Sequence, residues 1–136
     1  MKRLYLDANV VLDYLLNRGL FAESAEELLR AAAAGRVELL VSSLTFTTAH
    51  YVVSKQTGKV RATAALADLF TQVRTIAVDA NVVHQALQSG RPDFEDAVQL
   101  YAALATGADA LVTRDPAGFR GGLVPVLDPL AALAGL

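Results

Sequence analysis

Cysteine and tryptophan are absent from this 136-residue chain, methionine occurs once and histidine twice. Without thiols there are no disulfides, thiolate metal sites or cysteine nucleophiles, a pattern that fits a reducing, cytoplasmic setting. With two histidines in unrelated stretches, zinc chemistry is not expected, and any metal must be held by oxygen or histidine ligands. An excess of positive charge is also missing. The 12 Lys and Arg stand against 14 Asp and Glu, for a formal net charge of −2, so nucleic-acid binding would need a local patch. No window approaches the roughly 18 apolar residues of a membrane span. Near the start, Asp7 interrupts the apolar "RLYL" too soon for a signal-peptide core. No period of roughly 20 to 50 residues marks a repeat array. A Gly-x-Gly-x-x-Gly turn and a Gly-x-Ser-x-Gly elbow are both lacking, which argues against dinucleotide binding and serine hydrolysis.

What is present is apolar bulk. Hydrophobic residues make up 54% and charged residues 19%, which excludes disorder and supplies an Ala/Leu/Val interior. A chain of this length is expected to form one domain, residues 1–136.

Short apolar runs alternate with helical patterns. "RLYL" reads as a strand ending at Asp7, followed by a helix in "NVVLDYLLNRG" that Gly19 should stop. Ser24 and Glu27 have capping-box spacing at the start of "SAEELLRAAAAG". "VELLV" is a second strand, after which Ser42 or Ser43 can cap "LTFTTAHYVVSKQTG". A helix in "VRATAALADLF" precedes a third strand, "TIAV", and Asp79 can cap "ANVVHQALQSG". "FEDAVQLYAALATG" leads to a fourth strand, "ALVT". "LVPVL" reads as a short edge strand, since Pro125 lacks a backbone donor, and Asp128 with Pro129 can open a last helix. Strand–helix alternation implies parallel strands with right-handed crossovers. The expected fold is α/β, a three-layer α/β/α sandwich around a mainly parallel four- or five-stranded sheet.

In such sheets ligands gather beyond the carboxyl ends of the strands, where Asp7, Asp79, Asp115 and Asp128 all fall. Helix capping accounts for Asp79 and Asp128. Asp7 and Asp115 are less fully explained by capping or by a turn. In "PDFEDAVQLYAALATG", Asp93 is placed to cap the helix, and Asp96 lies in line with Leu100 and Ala103 on the stripe that should meet the sheet. Glu95 falls in line with Gln99, Ala102 and Thr106, a more polar stripe expected toward solvent or the rim. Asp7, Asp96 and Asp115 would then converge at one sheet edge. Ionised carboxylates so placed raise one another's pKa values or recruit a cation, and Mg²⁺ or Mn²⁺ suits oxygen donors.

"LYLDANVVLDYL", "VSSLTFTTAHYVV" and "PDFEDAVQLYAALATGADALVTRDPAGF", followed by the final short strand, resemble in that order a PIN domain, the fold of the VapC-type ribonuclease toxins. The resemblance covers essentially the whole chain. It implies that Asp7, Asp96 and Asp115 are metal-binding acids, that Asn9 and Thr113 support them, and that the activity is Mg²⁺- or Mn²⁺-dependent hydrolysis of RNA phosphodiesters. It also implies a small antitoxin whose C-terminal segment lies over the acidic site. One departure stands out. Thr48 occupies the position where many members carry a glutamate, so Asp93 or Glu95 is a candidate to complete the charge.

For an RNA substrate, Arg91 and Arg114 bracket the expected site, with Arg114 placed for a phosphate, while Lys55, Lys59 and Arg61 flank the Gly58 turn and could follow the backbone. His50 and His84 are expected to pack in the core. The tyrosines and phenylalanines fall mostly in apolar runs and none is assigned to base stacking. The Ala-rich early helices suggest a homodimer. A different class of function is a catalytically silent PIN-like module binding RNA or protein, favoured by Thr48 and opposed by the three aspartates. A phosphatase using Asp7 as nucleophile is weaker, because Asn9 stands where its second acid is expected.

Overall fold

A computed structural model describes residues 1–136. In chain order the elements are β1 (Lys2–Leu6), α1 (Ala8–Leu15), α2 (Gly19–Ala33), β2 (Val37–Ser42), α3 (Ser43–Thr57), α4 (Lys59–Gln72) and β3 (Arg74–Ile76). Then follow α5 (Ala80–Gln88), α6 (Phe94–Ala105), β4 (Ala110–Val112), a 3-10 turn (Pro116–Phe119), β5 (Val126–Leu127) and α7 (Pro129–Ala134). The strands form one five-stranded sheet in the order β3-β2-β1-β4-β5, and every neighbouring pair is parallel. The expected α/β/α sandwich is therefore present, with its acid-bearing first strand in the centre.

Alternation along the strands sorts side chains to two cores. Leu4, Leu6, Leu39, Val41, Ala110 and Val112 face a larger core closed by helices that include α1 to α4. Tyr5, Leu40, Ile76 and Leu111 face a second core built with α5 and α6. Strands buried on both faces are continuous apolar runs rather than half-polar ones, which is why "LYL" and "ALV" carry no charge.

Most sequence-derived boundaries hold, and two need correction. The first helix ends at Leu15, and Gly19 opens α2 instead of stopping α1. Gly19 has φ +56, a left-handed value suited to the tight link between the two helices. Ser24 accordingly lies inside α2 and caps nothing; the N-cap position is Arg18, with no side-chain cap bond. Elsewhere Ser42 caps α3, Asp79 caps α5, Asp93 caps α6 and Asp128 caps α7, each side chain accepting from a backbone N–H three residues on. No helix is long and apolar enough to cross a membrane. The packing alanines of α2, Ala22, Ala25 and Ala31, are buried within the chain's own core, so its exposed apolar surface is instead Leu20 and Phe21.

Candidate active site

The sheet order places β1 beside β4, and the chain winds outward through β2 and β3 before returning to that point. This is the topological switch where a crevice opens beyond the strand ends. Asp7 follows β1 and Thr113 follows β4, and the Asp7 amide donates to the Val112 carbonyl at 2.9 Å, which keeps the two strand ends in register.

Asp7 is 6% exposed and both its oxygens are engaged. Oδ1 accepts from the Ala8 amide at 2.8 Å and Oδ2 from the Thr113 hydroxyl at 2.9 Å. The fully buried Thr113 hydroxyl in turn accepts from Asn9 Nδ2 at 3.2 Å and from the Asp115 amide at 3.0 Å. One hydroxyl thus ties together Asp7, Asn9 and the start of the Asp115 loop. Burial pushes the Asp7 carboxyl up; the Thr113 and Ala8 bonds oppose that, and the charges of Glu95 and Asp115 add to it.

Asp96 enters from the first turn of α6, where Asp93 Oδ1 accepts its amide at 2.9 Å. Its carboxyl is pushed up to about 6, first by partial burial and then by Asp93, Asp7, Glu95 and Asp115. Five carboxylates on three separate stretches therefore share one electrostatic field. Asp115 is exposed and its side chain caps no helix, so the bland turn role leaves its carboxylate unused. Glu95 is exposed at the rim. The stripe below it is not polar surface: Gln99 and Ala102 are fully buried.

Gln99 Oε1 accepts from the Tyr5 hydroxyl at 2.5 Å, and its Nε2 donates to Thr45 Oγ1 at 2.9 Å. The Ser42 hydroxyl also donates to Thr45 Oγ1, at 3.2 Å. All four side chains have no exposed surface. They join β1, the end of β2, the start of α3 and α6, and so tie together the strand that Asp7 follows and the helices bearing Asp96 and Thr48. Burial pushes the Tyr5 phenol up, which keeps it the donor in this chain of bonds.

Two further residues were not singled out by sequence reasoning. Gly118 packs directly under Asp96: a Cβ there would overlap Asp96 Oδ2. Asp13, 1% exposed, takes both Nε and Nη2 of Arg114. The guanidinium also lies 4.2 Å from the Phe21 ring centroid. Arg114 is thus held by an acid of α1, although the sequence had offered it to a phosphate. The i, i+6 recurrence of Asp7 and Asp13 within "DANVVLD" was the available signal for the latter.

Other expected residues are dispersed. Thr48 is half-buried in the second turn of α3 and its hydroxyl takes no protein partner. Arg91 lies against Gly121, where an added Cβ would come within 2.8 Å of the arginine Nη2, and it forms no ion pair. Lys55, Lys59 and Arg61 are exposed at the α3–α4 corner. The histidines do not pack as core residues: His84 is exposed, and His50 is half-buried with its Nε2 at 2.8 Å from Thr63 Oγ1.

The donor set is carboxylate oxygen throughout, and the charge around Asp96 is uncompensated by any cationic side chain ion-paired to it. Those properties fit a hard divalent ion. The fit is one of charge and chemistry, not of a preformed cage, since no three such side chains are drawn together tightly enough to hold an ion as they stand.

No curated protein matches the sequence. Among solved structures, DNA-bound VapBC from Salmonella typhimurium superposes with a TM-score of 0.75 at 19% identity, covering 95% of this chain and 99% of that one. VapBC2 from Rickettsia felis, bound to a DNA fragment from its promoter, gives 0.71 at 20%, covering 93% and 98%. VapC20 of Mycobacterium tuberculosis, described as a Sarcin-Ricin loop cleaving toxin, gives 0.66 at 18%, covering 85% and 92%. These likenesses establish a shared fold. The PIN domain family model matches residues 3–117, which include every acid of the cluster, and the chain belongs to the PIN domain family.

Proposed function

We propose that this chain is a metal-dependent endoribonuclease that hydrolyses RNA phosphodiester bonds, of the kind that forms the toxin of a toxin–antitoxin pair. The observation that carries the proposal is the set of coupled carboxylates, Asp7, Asp93, Glu95, Asp96 and Asp115, over the β1/β4 switch point. A PIN domain of this form also occurs in the VapC20 toxin and in VapBC complexes, which supports the substrate class and an antitoxin partner. A homodimer belongs to the same reading.

In this reading Asp7, Asp96 and Asp115 hold Mg²⁺ or Mn²⁺, with Glu95 or Asp93 adding charge in place of the glutamate that Thr48 replaces. The bound ion would supply water activation and offset of phosphate charge. The chain's own residues do the positioning. Thr113 and the Ala8 amide fix both Asp7 oxygens, and Asn9 fixes Thr113. Asp96, with its raised proton affinity, is the group most relieved by a cation. Arg91, free of ion pairs, is available to an RNA phosphate near the rim.

The competing reading is a silent RNA- or protein-binding module, favoured by Thr48 alone. Calorimetric titration of Mn²⁺ into the metal-free parent and into Asp96→Asn separates the two. Saturable binding lost in the variant, together with RNA cleavage lost in Asp7→Asn, Asp96→Asn and Asp115→Asn while far-UV dichroism is kept, supports the nuclease. No binding to the parent, or equal cleavage by all three variants, rejects it.

A further inference from the structure

The 29 residues from Leu39 to Ala67 contain no acid, while Lys55, Lys59 and Arg61 lie among them. The rest of the chain then has nine bases against fourteen acids. In an acidic protein, positive charge is thus gathered on the α3–α4 corner, where all three side chains are exposed and none forms an ion pair. An aromatic accompanies them. Tyr51 is 61% exposed, and Lys55 Nζ sits 4.4 Å from its ring centroid. The sequence had suggested no aromatic for stacking, because Tyr51 lies in the apolar run "AHYVV"; the helix turns it outward while Ala49 and Val53 are buried.

The placement has direction. Thr48, Tyr51 and Lys55 are spaced i, i+3, i+7, so they share one face of α3. That helix starts at the carboxyl end of β2, on the edge of the sheet that carries the acids. From Thr48 to Lys55 the helix rises roughly 10 Å at ~1.5 Å per residue. Stacked nucleotides at ~3.4 Å each would cover that distance in about three steps. Beside the stripe, α3 and α4 bound an open groove of about 580 Å³ whose lining includes Phe46, Leu66, His50, Tyr51 and Lys59. An exposed ring flanked by cations, beside a groove with apolar lining, suits a base and its phosphate.

We propose that the α3–α4 corner is a single-stranded RNA-binding site, in which Tyr51 stacks on a base and Lys55, Lys59 and Arg61 contact the phosphates flanking it. An acidic peptide would also pair with the cations; RNA is the favoured occupant because a base stacks on the exposed ring that the cations flank. The inference deepens the nuclease reading in one respect only, the path of the strand toward the acid cluster; the binding itself does not depend on cleavage.

The test is fluorescence anisotropy with a labelled single-stranded RNA of about 12 nucleotides, in EDTA so that metal-dependent cleavage is silent. The variants are Tyr51→Ala, the triple Lys55→Gln/Lys59→Gln/Arg61→Gln, and the control Arg36→Gln/Arg74→Gln on the opposite edge of the sheet. The triple variant is expected to bind at least about tenfold more weakly at ~50 mM salt and to flatten the log K against log salt slope by roughly 2, at ~0.7 per lost phosphate contact. Tyr51→Ala is expected to lose about fivefold or more with the slope unchanged, the mark of a stacking contact. The control should bind like the parent. Parent-like binding by both the triple and Tyr51→Ala overturns the site, as does failure of the parent to bind RNA. Equal binding of poly-glutamate with the same loss in Tyr51→Ala would also overturn it, in favour of an acidic protein partner. RNA binding that depends on this corner in a chain that takes up no Mn²⁺ would leave the site standing and remove the nuclease reading. Metal-dependent cleavage with an unchanged KM in the triple variant would do the reverse.

Discussion

Arg114 closes on Asp13 across 101 positions of sequence, with Nε 2.5 Å from Oδ2 and Nη2 3.0 Å from Oδ1. Asp13 is buried, and Arg18 approaches it at 3.6 Å from the loop that follows α1. Arg114 lies between Thr113, which holds Asp7, and Asp115. The pair therefore anchors the segment leaving β4 to α1, the helix that Asp7 precedes. A forked guanidinium suits this task because both its bonds are directional.

Breaking the pair is expected to be costly, because a buried charge loses its partner. Arg114→Ala leaves the buried Asp13 carboxylate with only the more distant Arg18 and should lower the free energy of unfolding by about 3 kcal/mol, read from urea melts with the m-value unchanged. Arg114→Lys keeps the charge but not the fork, so it should recover part of that loss relative to Arg114→Ala. Melts of Arg114→Ala that superpose on the parent would show that the contact contributes nothing.

Gly118 has its own consequence. A methyl group at this position meets the Asp96 carboxylate and not the backbone, so the side chain can turn away. Gly118→Ala should fold with near-parent thermal stability and bind Mn²⁺ at least about tenfold more weakly, a loss in the range found when groups supporting metal ligands are removed. Parent-like affinity in calorimetry would mean that Asp96 does not need its present rotamer.

The acid cluster should also make the metal-free protein sensitive to pH. The Asp96 carboxyl is raised from 3.8 to about 6 in the folded chain. Between those values the folded state holds a proton that the unfolded state has released, so stability falls as pH rises through that window. Above it the ionised group remains unfavourable. Asp96→Asn should therefore raise the Tm of the metal-free protein at neutral pH by a few degrees, from about 1 kcal/mol once solvent screening of a half-exposed group is allowed for. The gain should vanish near pH 4. A variant that melts below the parent at neutral pH would contradict this account.

The buried chain of bonds through Gln99 offers a separate check. Gln99→Leu fits an apolar layer but leaves the buried Tyr5 hydroxyl without its acceptor and Thr45 with Ser42 alone, at a cost of about 2 kcal/mol. Adding Tyr5→Phe should cost less in that background than in the parent, because the orphaned hydroxyl is removed with its bond. Additive losses in a double-mutant cycle would show that the two side chains are not coupled.

Much of this was legible along the chain. Asp93, Asp79, Asp128 and Ser42 cap the helices they precede, since an N-cap bond is local and needs only a short polar side chain at a helix start. Asp7 and Asp115 stood out because strand ends in a parallel sheet face one edge. Asp13 did not, because an acid inside an amphipathic helix looks like surface until its partner is known. Gln99 misled for the same reason: one polar residue between apolar neighbours does not say whether water or a buried hydroxyl receives it.

The sequence by itself determined the alternation of strands and helices, the apolar strands that require cover on both faces, and the order in which the acids appear. These depend on periodicity and local bonding, which act within a few residues. Only the tertiary structure decided that β1 lies beside β4, that Gly118 touches Asp96, that Arg114 is held by Asp13, and that Tyr51 turns outward next to Lys55. Except for the last, these pair residues far apart in the chain, and even Tyr51's exposure depends on which face of α3 the core covers; contacts of that kind follow from packing, which no local pattern encodes.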